Sequence, residues 1–217
     1  MEIISSINYN QEEIINNIIT LHVPQGFIDC DCTYSKGNFY KSGIVKEPIY
    51  KFDKFPQTED TIQACATELP LENNSINCIM FDPPFLATTG KSLKVENESN
   101  KINKRFGVFN NEKELHQFYV QALKEFYRVL KDDGVLIFKC QDKVSSSKQY
   151  MSHVFIINVA EKLGYYTKDM FVLLAKNRIV ADWQAKNQKH ARKFHSYFLV
   201  FEKKKSKIDY NEFMGDL

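Results

Sequence analysis

The chain has 217 residues, 43% hydrophobic and 26% charged, with a formal net charge of +2. That composition supplies a real core for one domain and excludes wholesale disorder. No apolar run approaches the length of a membrane span, and the start Met1-Glu2-Ile3-Ile4-Ser5-Ser6 lacks the basic region of a signal peptide, so a cytoplasmic protein is expected.

Cysteine usage points the same way. Cys30, Cys32, Cys65, Cys78 and Cys140 form no Cys-x-x-Cys pair, and the five histidines show no ligand spacing, so reduced thiols and no metal are expected. Charge is uneven along the chain. No Lys or Arg precedes Lys36, whereas Lys186, Lys189, Arg192, Lys193, Lys203, Lys204, Lys205 and Lys207 face only Glu202. A basic cluster of that density suits a polyanion, and it equally suits an ordinary solvated surface.

The first predicted helix runs from about Gln11 to Leu21, with Asn10 as cap, Glu13 completing a capping box, and Pro24 as breaker. Gly26 to Cys32 reads as a strand that leads into a polar turn with one glycine, Gly37. Ile49 to Asp53 is a second strand, ending in an acid, and Thr61 to Cys65 a third. A turn-rich link over 69–75 precedes the fourth strand, Ile76-Asn77-Cys78-Ile79-Met80-Phe81. From Leu86 to about Asn111 the chain is polar and largely without periodicity, which predicts a flexible insertion in one domain spanning 1–217. Glu112 to Leu130 has apolar residues at 3- and 4-residue spacing and reads as the clearest helix. Asp132-Asp133-Gly134 should end it. Val135 to Cys140 is a fifth strand, followed by a Ser-rich loop, a helix over about Gln149 to Leu163, and strands at Met170 to Ala175 and Ser196 to Phe201. Alternating strands and helices imply an α/β domain with a mostly parallel sheet.

The fourth strand stops at Asp82-Pro83-Pro84-Phe85. Neither proline can donate to a sheet, so a stiff loop is expected at the carboxyl edge, where open α/β folds bind ligands. The Asp82 carboxylate and the Pro83 carbonyl are both acceptors and can hold the two hydrogens of an exocyclic amine. The amine lone pair then points at an electrophile, and Phe85 can stack on the ring. In the following insertion Lys101, Lys104, Arg105 and Phe106 mix basic and aromatic side chains, as single-stranded or flipped nucleic acid requires.

A strand followed by Asp82-Pro83-Pro84-Phe85 resembles the Asp-Pro-Pro-Tyr/Phe motif of S-adenosylmethionine-dependent amino-methyltransferases, which act on adenine N6, cytosine N4 or guanine N2. The element order is similar to the Rossmann-like class I methyltransferase fold over nearly the whole chain. Leu123 to Asp142 also looks like those enzymes. Arg192 to Phe201 looks like the closing hairpin of bacterial and phage DNA amino-methyltransferases. The resemblance implies a mostly parallel sheet with an antiparallel C-terminal strand. It implies that Asp29, Asp31, Thr33, Tyr34, Ser35, Lys36, Gly37 and Phe39 surround the methionine part of S-adenosyl-L-methionine. Asp53 is expected on the ribose hydroxyls, Cys65 near the adenine, and Asp82, Pro83, Pro84 and Phe85 at the reacting amine.

DNA is the partner the resemblance implies, with adenine N6 the first target, cytosine N4 the second and RNA the third. Sequence choice would fall to the 86–111 insertion and to Lys186, Lys189, Arg192 and Lys193, or to a second copy or partner subunit. Two positions depart from the pattern. Thr33-Tyr34-Ser35-Lys36-Gly37 stands where Phe-x-Gly-x-Gly is usual, and Ala64-Cys65-Ala66 lacks the usual acid or amide. The altered turn makes close backbone approach harder. It keeps open a second reading, a catalytically silent subunit that binds nucleic acid.

Overall fold

The computed structural model describes residues 3–85, 87, 109–145, 147–176, 189–204 and 208. Most of the 86–111 insertion, including Lys101, Lys104, Arg105 and Phe106, lies outside the described residues, as does Lys186. In chain order the elements are β1 (Ile7–Asn8), α1 (Gln11–His22), β2 (Cys30–Asp31), β3 (Tyr50–Asp53), β4 (Ile62–Gln63) and β5 (Ile76–Phe81). There follow α2 (Glu112–Val129), β6 (Leu130–Cys140), the hairpin β7 (Lys143–Ser145) and β8 (Lys148–Tyr150), α3 (Ser152–Lys162), β9 (Tyr166–Leu174) and β10 (His195–Glu202).

Eight strands form one sheet in the order β1-β9-β10-β6-β5-β2-β3-β4. β10 runs antiparallel to both neighbours, and the remaining pairs are parallel. From β2 the chain moves outward through β3 to β4, then returns to the other side of β2 as β5. That reversal opens a crevice between the carboxyl ends of β2 and β5, the position where such sheets bind ligands.

The sequence dictates two cores, one on each face. Alternate residues of β5 point in opposite directions. Ile79 and Phe81 meet Leu115, Tyr119, Leu123 and Phe126 of α2, whereas Cys78 and Met80 meet Ile14, Ile15 and Ile18 of α1. Phe81 lies edge-on to Phe126 at 4.8 Å and to Phe138 at 4.9 Å. Each such ring removed from water contributes about 1.5–3 kcal/mol. Because both faces are covered, β5 and β6 read as near-continuous apolar runs. Asn10 caps α1 by accepting the Glu12 amide at 2.9 Å. The expected partner Glu13 accepts from the Asn10 and Asn8 side chains.

Several boundaries differ from those the sequence predicts. The expected first strand narrows to β2, and the two-residue β1 beside β9 has no counterpart in the sequence reading. Asp132-Asp133-Gly134 forms a bulge inside β6, where pairing steps from Ile76↔Leu130 to Cys78↔Val135 and Asp133 takes φ 58°. The Ser-rich loop is part of a hairpin that turns with Ser147 at φ 61°, so α3 starts at Ser152 and not near Gln149.

Candidate active site

A cavity of about 590 Å³ lies at the carboxyl edge, between the turn after β2, the end of β3 and the loop after β5. Its walls include Thr33, Tyr34, Ser35 and Phe39 from the first turn, Asp53 from β3, Cys65, and Asp82 and Pro84 from the motif. These expected site residues come together although Thr33 and Pro84 are 51 positions apart. Asp29, Asp31, Lys36 and Gly37 do not line the cavity.

Their actual partners explain why. The Asp29 carboxylate accepts the backbone amides of Asn77 and Cys78 at 3.0 and 2.7 Å and the Gln25 side chain at 2.8 Å, locking β5 against the segment entering β2. Asp31 is fully buried behind the turn. It accepts the Tyr40 hydroxyl at 2.7 Å, the Thr33 amide at 2.8 Å and the Thr33 hydroxyl at 3.3 Å. Burial pushes its carboxyl up to about 7, opposed by the bonds from Tyr40 and Thr33. Lys36 points to solvent.

The turn keeps a glycine-type path without the usual first glycine. Ser35 takes φ 52° and Gly37 φ 62°. Gly37 is required by its neighbour, since a Cβ there would fall 2.5 Å from the Tyr34 hydroxyl. Tyr34 itself stacks on Tyr40 with centroids 5.6 Å apart. The Ser35 amide donates to Asp53 Oδ2 at 2.8 Å, and the Phe55 amide to Asp53 Oδ1 at 2.8 Å. Asp53 is thereby fixed at the cavity wall. The Cys65 thiol lies 3.0 Å from the Thr67 hydroxyl, and both groups face the same space.

The motif loop is tied at three points. The Asp82 amide donates to Thr33 Oγ1 at 2.7 Å, stitching the loop to the first turn. Tyr119 of α2 donates to the Pro84 carbonyl at 2.7 Å, and Lys143 donates to the Phe85 carbonyl. Lys143 is itself half-buried, with its side chain 10% exposed, 2.8 Å from Glu112 Oε2. The Glu112 oxygens make no aligned hydrogen bond among the described residues, so charge alone holds that pair. Burial holds the Lys143 ammonium below its ordinary value, opposed by Glu112. Among the described residues the Pro83 carbonyl has no hydrogen-bond partner, and Asp82 engages through Oδ2 only.

The Oδ2 partner is Lys139, at 3.1 Å. Lys139 sits near the end of β6 with its side chain 11% exposed. It is absent from the site residues expected from the sequence. A lone charge in the apolar run Val135-Leu136-Ile137-Phe138-Lys139-Cys140 was the available signal. Gln11, on the first turn of α1, was missed as well and also lines the cavity. Phe85 lies outside the first cavity and lines a second one, with Tyr9, Leu174 and His195. Lys189 is exposed, and Arg192 and Lys193 are half-buried. They precede β10, whose first residues pair with the carboxyl end of β6, so they lie on the strand edge that carries the site.

This sheet order, with its crevice at the β2/β5 switch and its single antiparallel strand β10, defines a Rossmann-like class I methyltransferase fold. The DNA methylase family model matches residues 76–214. The chain belongs to that family of DNA amino-methyltransferases. No curated protein sequence matches it. Among solved structures it is similar to a methyltransferase from Haloferax volcanii in complex with a Trm112 methyltransferase activator, at 10% identity and TM-score 0.51, covering 90% of each chain. It is also similar to a protein from Thermus thermophilus described as a DNA modification methylase complexed with S-adenosyl-L-methionine. That match has 16% identity and TM-score 0.44 over 67% of this chain and 56% of the other. The PvuII cytosine-N4-specific DNA methyltransferase matches at 15% identity and TM-score 0.48, over 70% of this chain and 52% of its own. The chain thus spans about half the length of the Thermus and PvuII proteins.

Proposed function

We propose that this protein transfers the methyl group of S-adenosyl-L-methionine to an exocyclic amine of a base in DNA, adenine N6 first and cytosine N4 second. The observation that carries the reading is the single cavity wall shared by Asp82 and the Thr33–Phe39 turn. The cofactor fits on this chain's own groups. A cavity of this size accommodates a nucleoside-sized ligand. Asp53, fixed by two amides, stands at the strand end where ribose hydroxyls need an acceptor. Ser35, in a glycine conformation, lets the main chain come close. Bound there, the cofactor supplies a methyl group already activated on sulfur.

The chain's own work is then orientation. Asp82 and the Pro83 carbonyl accept the two amine hydrogens and direct the nitrogen lone pair into the cavity. Asp82 lies where it can take the proton that the amine sheds. Phe85 faces the second cavity and offers a stacking surface to the base. Lys189, Arg192 and Lys193 supply positive charge for the phosphate backbone on the same edge. The retained path of the first turn favours this reading over a silent subunit, and a second copy or partner subunit is the proposed source of sequence choice.

Replacing Asp82 by Ala is expected to lower methyl transfer to DNA by about 10²-fold or more while calorimetry finds cofactor affinity within a few-fold of wild type. Undiminished methylation by that variant would sink the assignment. Failure of the wild type to bind the cofactor at millimolar concentration would favour the silent reading.

A further inference from the structure

Two cavities meet at Lys139. Together with Gln11 it lines both the first cavity and the second, of about 660 Å³, which opens on the side of Phe85. The ammonium is held at that junction from several directions. It lies 3.1 Å from Asp82 Oδ2 and 3.4 Å from Gln11 Oε1, and over the rings of Phe39, Phe198 and Phe85 at 5.0, 5.5 and 5.9 Å. Pairing with Asp82 compensates a charge that would otherwise be costly on a side chain only 11% exposed.

The pair therefore presents an acceptor, Asp82 Oδ2, directly beside a donor, Lys139 Nζ. That is the pattern a complementary base presents to an amino base. Thymine offers adenine an acceptor for N6 and a donor for N1, and guanine offers cytosine an acceptor for N4 and a donor for N3. Resting on the methyltransferase reading, we propose that Asp82 and Lys139 stand in for the missing pairing partner of the target base. Asp82 takes the amine hydrogen, and Lys139 donates to the ring nitrogen next to it. Lys139 is then the specificity-determining residue.

Enzymes that act on extruded bases read them by their pairing edge. Adenine and cytosine both carry an acceptor nitrogen beside the amine. Guanine carries N1–H there, so a guanine amine at Asp82 would set two donors against each other at Lys139, and buried donors without acceptors discriminate strongly. The other nitrogen flanking that amine, N3, lies on the sugar edge of guanine. The carboxylate keeps further lone pairs for the amine while it holds the ammonium.

The test uses the full chain and random-sequence oligonucleotide pools. In one pool every adenine is 1-deazaadenine, and in another every cytosine is 3-deazacytosine. Each analogue keeps the amine and loses the neighbouring ring acceptor. Methylated nucleosides are quantified by mass after digestion. Wild type is expected to lose about tenfold or more of its initial rate on the analogue of the base it methylates. Lys139→Met should show a similar loss on the natural pool and no additional loss on the analogue. Equal wild-type rates on natural and analogue pools would overturn the proposal without any variant. So would a Lys139→Met rate that falls again on the analogue, or N2-methylguanine as the product. A wild type that yields no methylated nucleoside from any pool overturns the methyltransferase reading itself, and this inference with it.

Discussion

Ser35 occupies backbone space that costs a residue with a Cβ roughly 1 kcal/mol, and its amide serves Asp53 from that conformation. Ser35→Gly is therefore expected to leave the unfolding midpoint and cofactor affinity close to wild type, the relief of strain being offset by a freer unfolded chain. Ser35→Val should lose about 1–2 kcal/mol, measured by urea unfolding, because a branched side chain fits that region poorly. Much of this placement is readable from residue order. An acid closing an apolar strand announced Asp53 and Asp82, and two consecutive prolines fixed where the chain must turn. Asp29 and Asp31 do not line the cavity, and in sequence a carboxylate next to a strand end looks alike whether it faces a cavity or caps buried amides. Only the packing of Tyr40 and of Gln25 decides between the two. Lys139 was visible as an anomaly, but its relation to Asp82 joins positions 57 apart across two strands.

At the level of elements, the bodies of α1 and α2 are legible in the sequence, while the stop expected for α2 at Asp132-Asp133-Gly134 lies inside β6. The Asn10 cap of α1 and the apolar spacing of both helices agree with the faces they bury, and Asn111 caps α2 in the structure. The two-residue strand β1 is not, since so short a segment has no period and becomes a strand only through its neighbour, whereas β4 falls inside the strand expected at Thr61 to Cys65. The hairpin β7–β8 was hidden for the same reason. One consequence concerns the Lys143–Glu112 pair, which ties the hairpin to the first turn of α2 and to the Phe85 carbonyl. Removing one member of a buried pair leaves an uncompensated charge. Lys143→Met should cost about 3 kcal/mol in thermal or denaturant unfolding, and adding Glu112→Leu should recover at least half. A smaller effect is expected at the entrance of α1. Asn10→Ala should lose about 1 kcal/mol and loosen Gln11, one residue inside the cap.

For the molecule as a whole, Asp31 makes stability depend on pH in an unusual direction. Its carboxyl is raised from the ordinary 3.8 to about 7, so between those values the folded chain keeps a proton that the unfolded chain has lost. Folding free energy from this group is fully present below pH 4 and declines as pH rises to about 7, by an amount of order 4 kcal/mol. Asp31→Asn should flatten that decline, which chemical unfolding at a series of pH values would reveal. An equally steep decline in the variant would assign it to other groups.

The insertion after the motif leaves and rejoins the domain at one point, because Ala87 and Phe109 pair as a parallel bridge. Both ends of that segment are thus fastened next to the Asp82-Pro83-Pro84-Phe85 loop. Shortening a loop between fixed ends changes its closure cost by only about 0.6 kcal/mol per halving. Exchanging 88–108 for a brief glycine-serine tether should leave melting unchanged. Because both ends are pinned side by side, the segment between them can be exchanged without moving the sheet beneath.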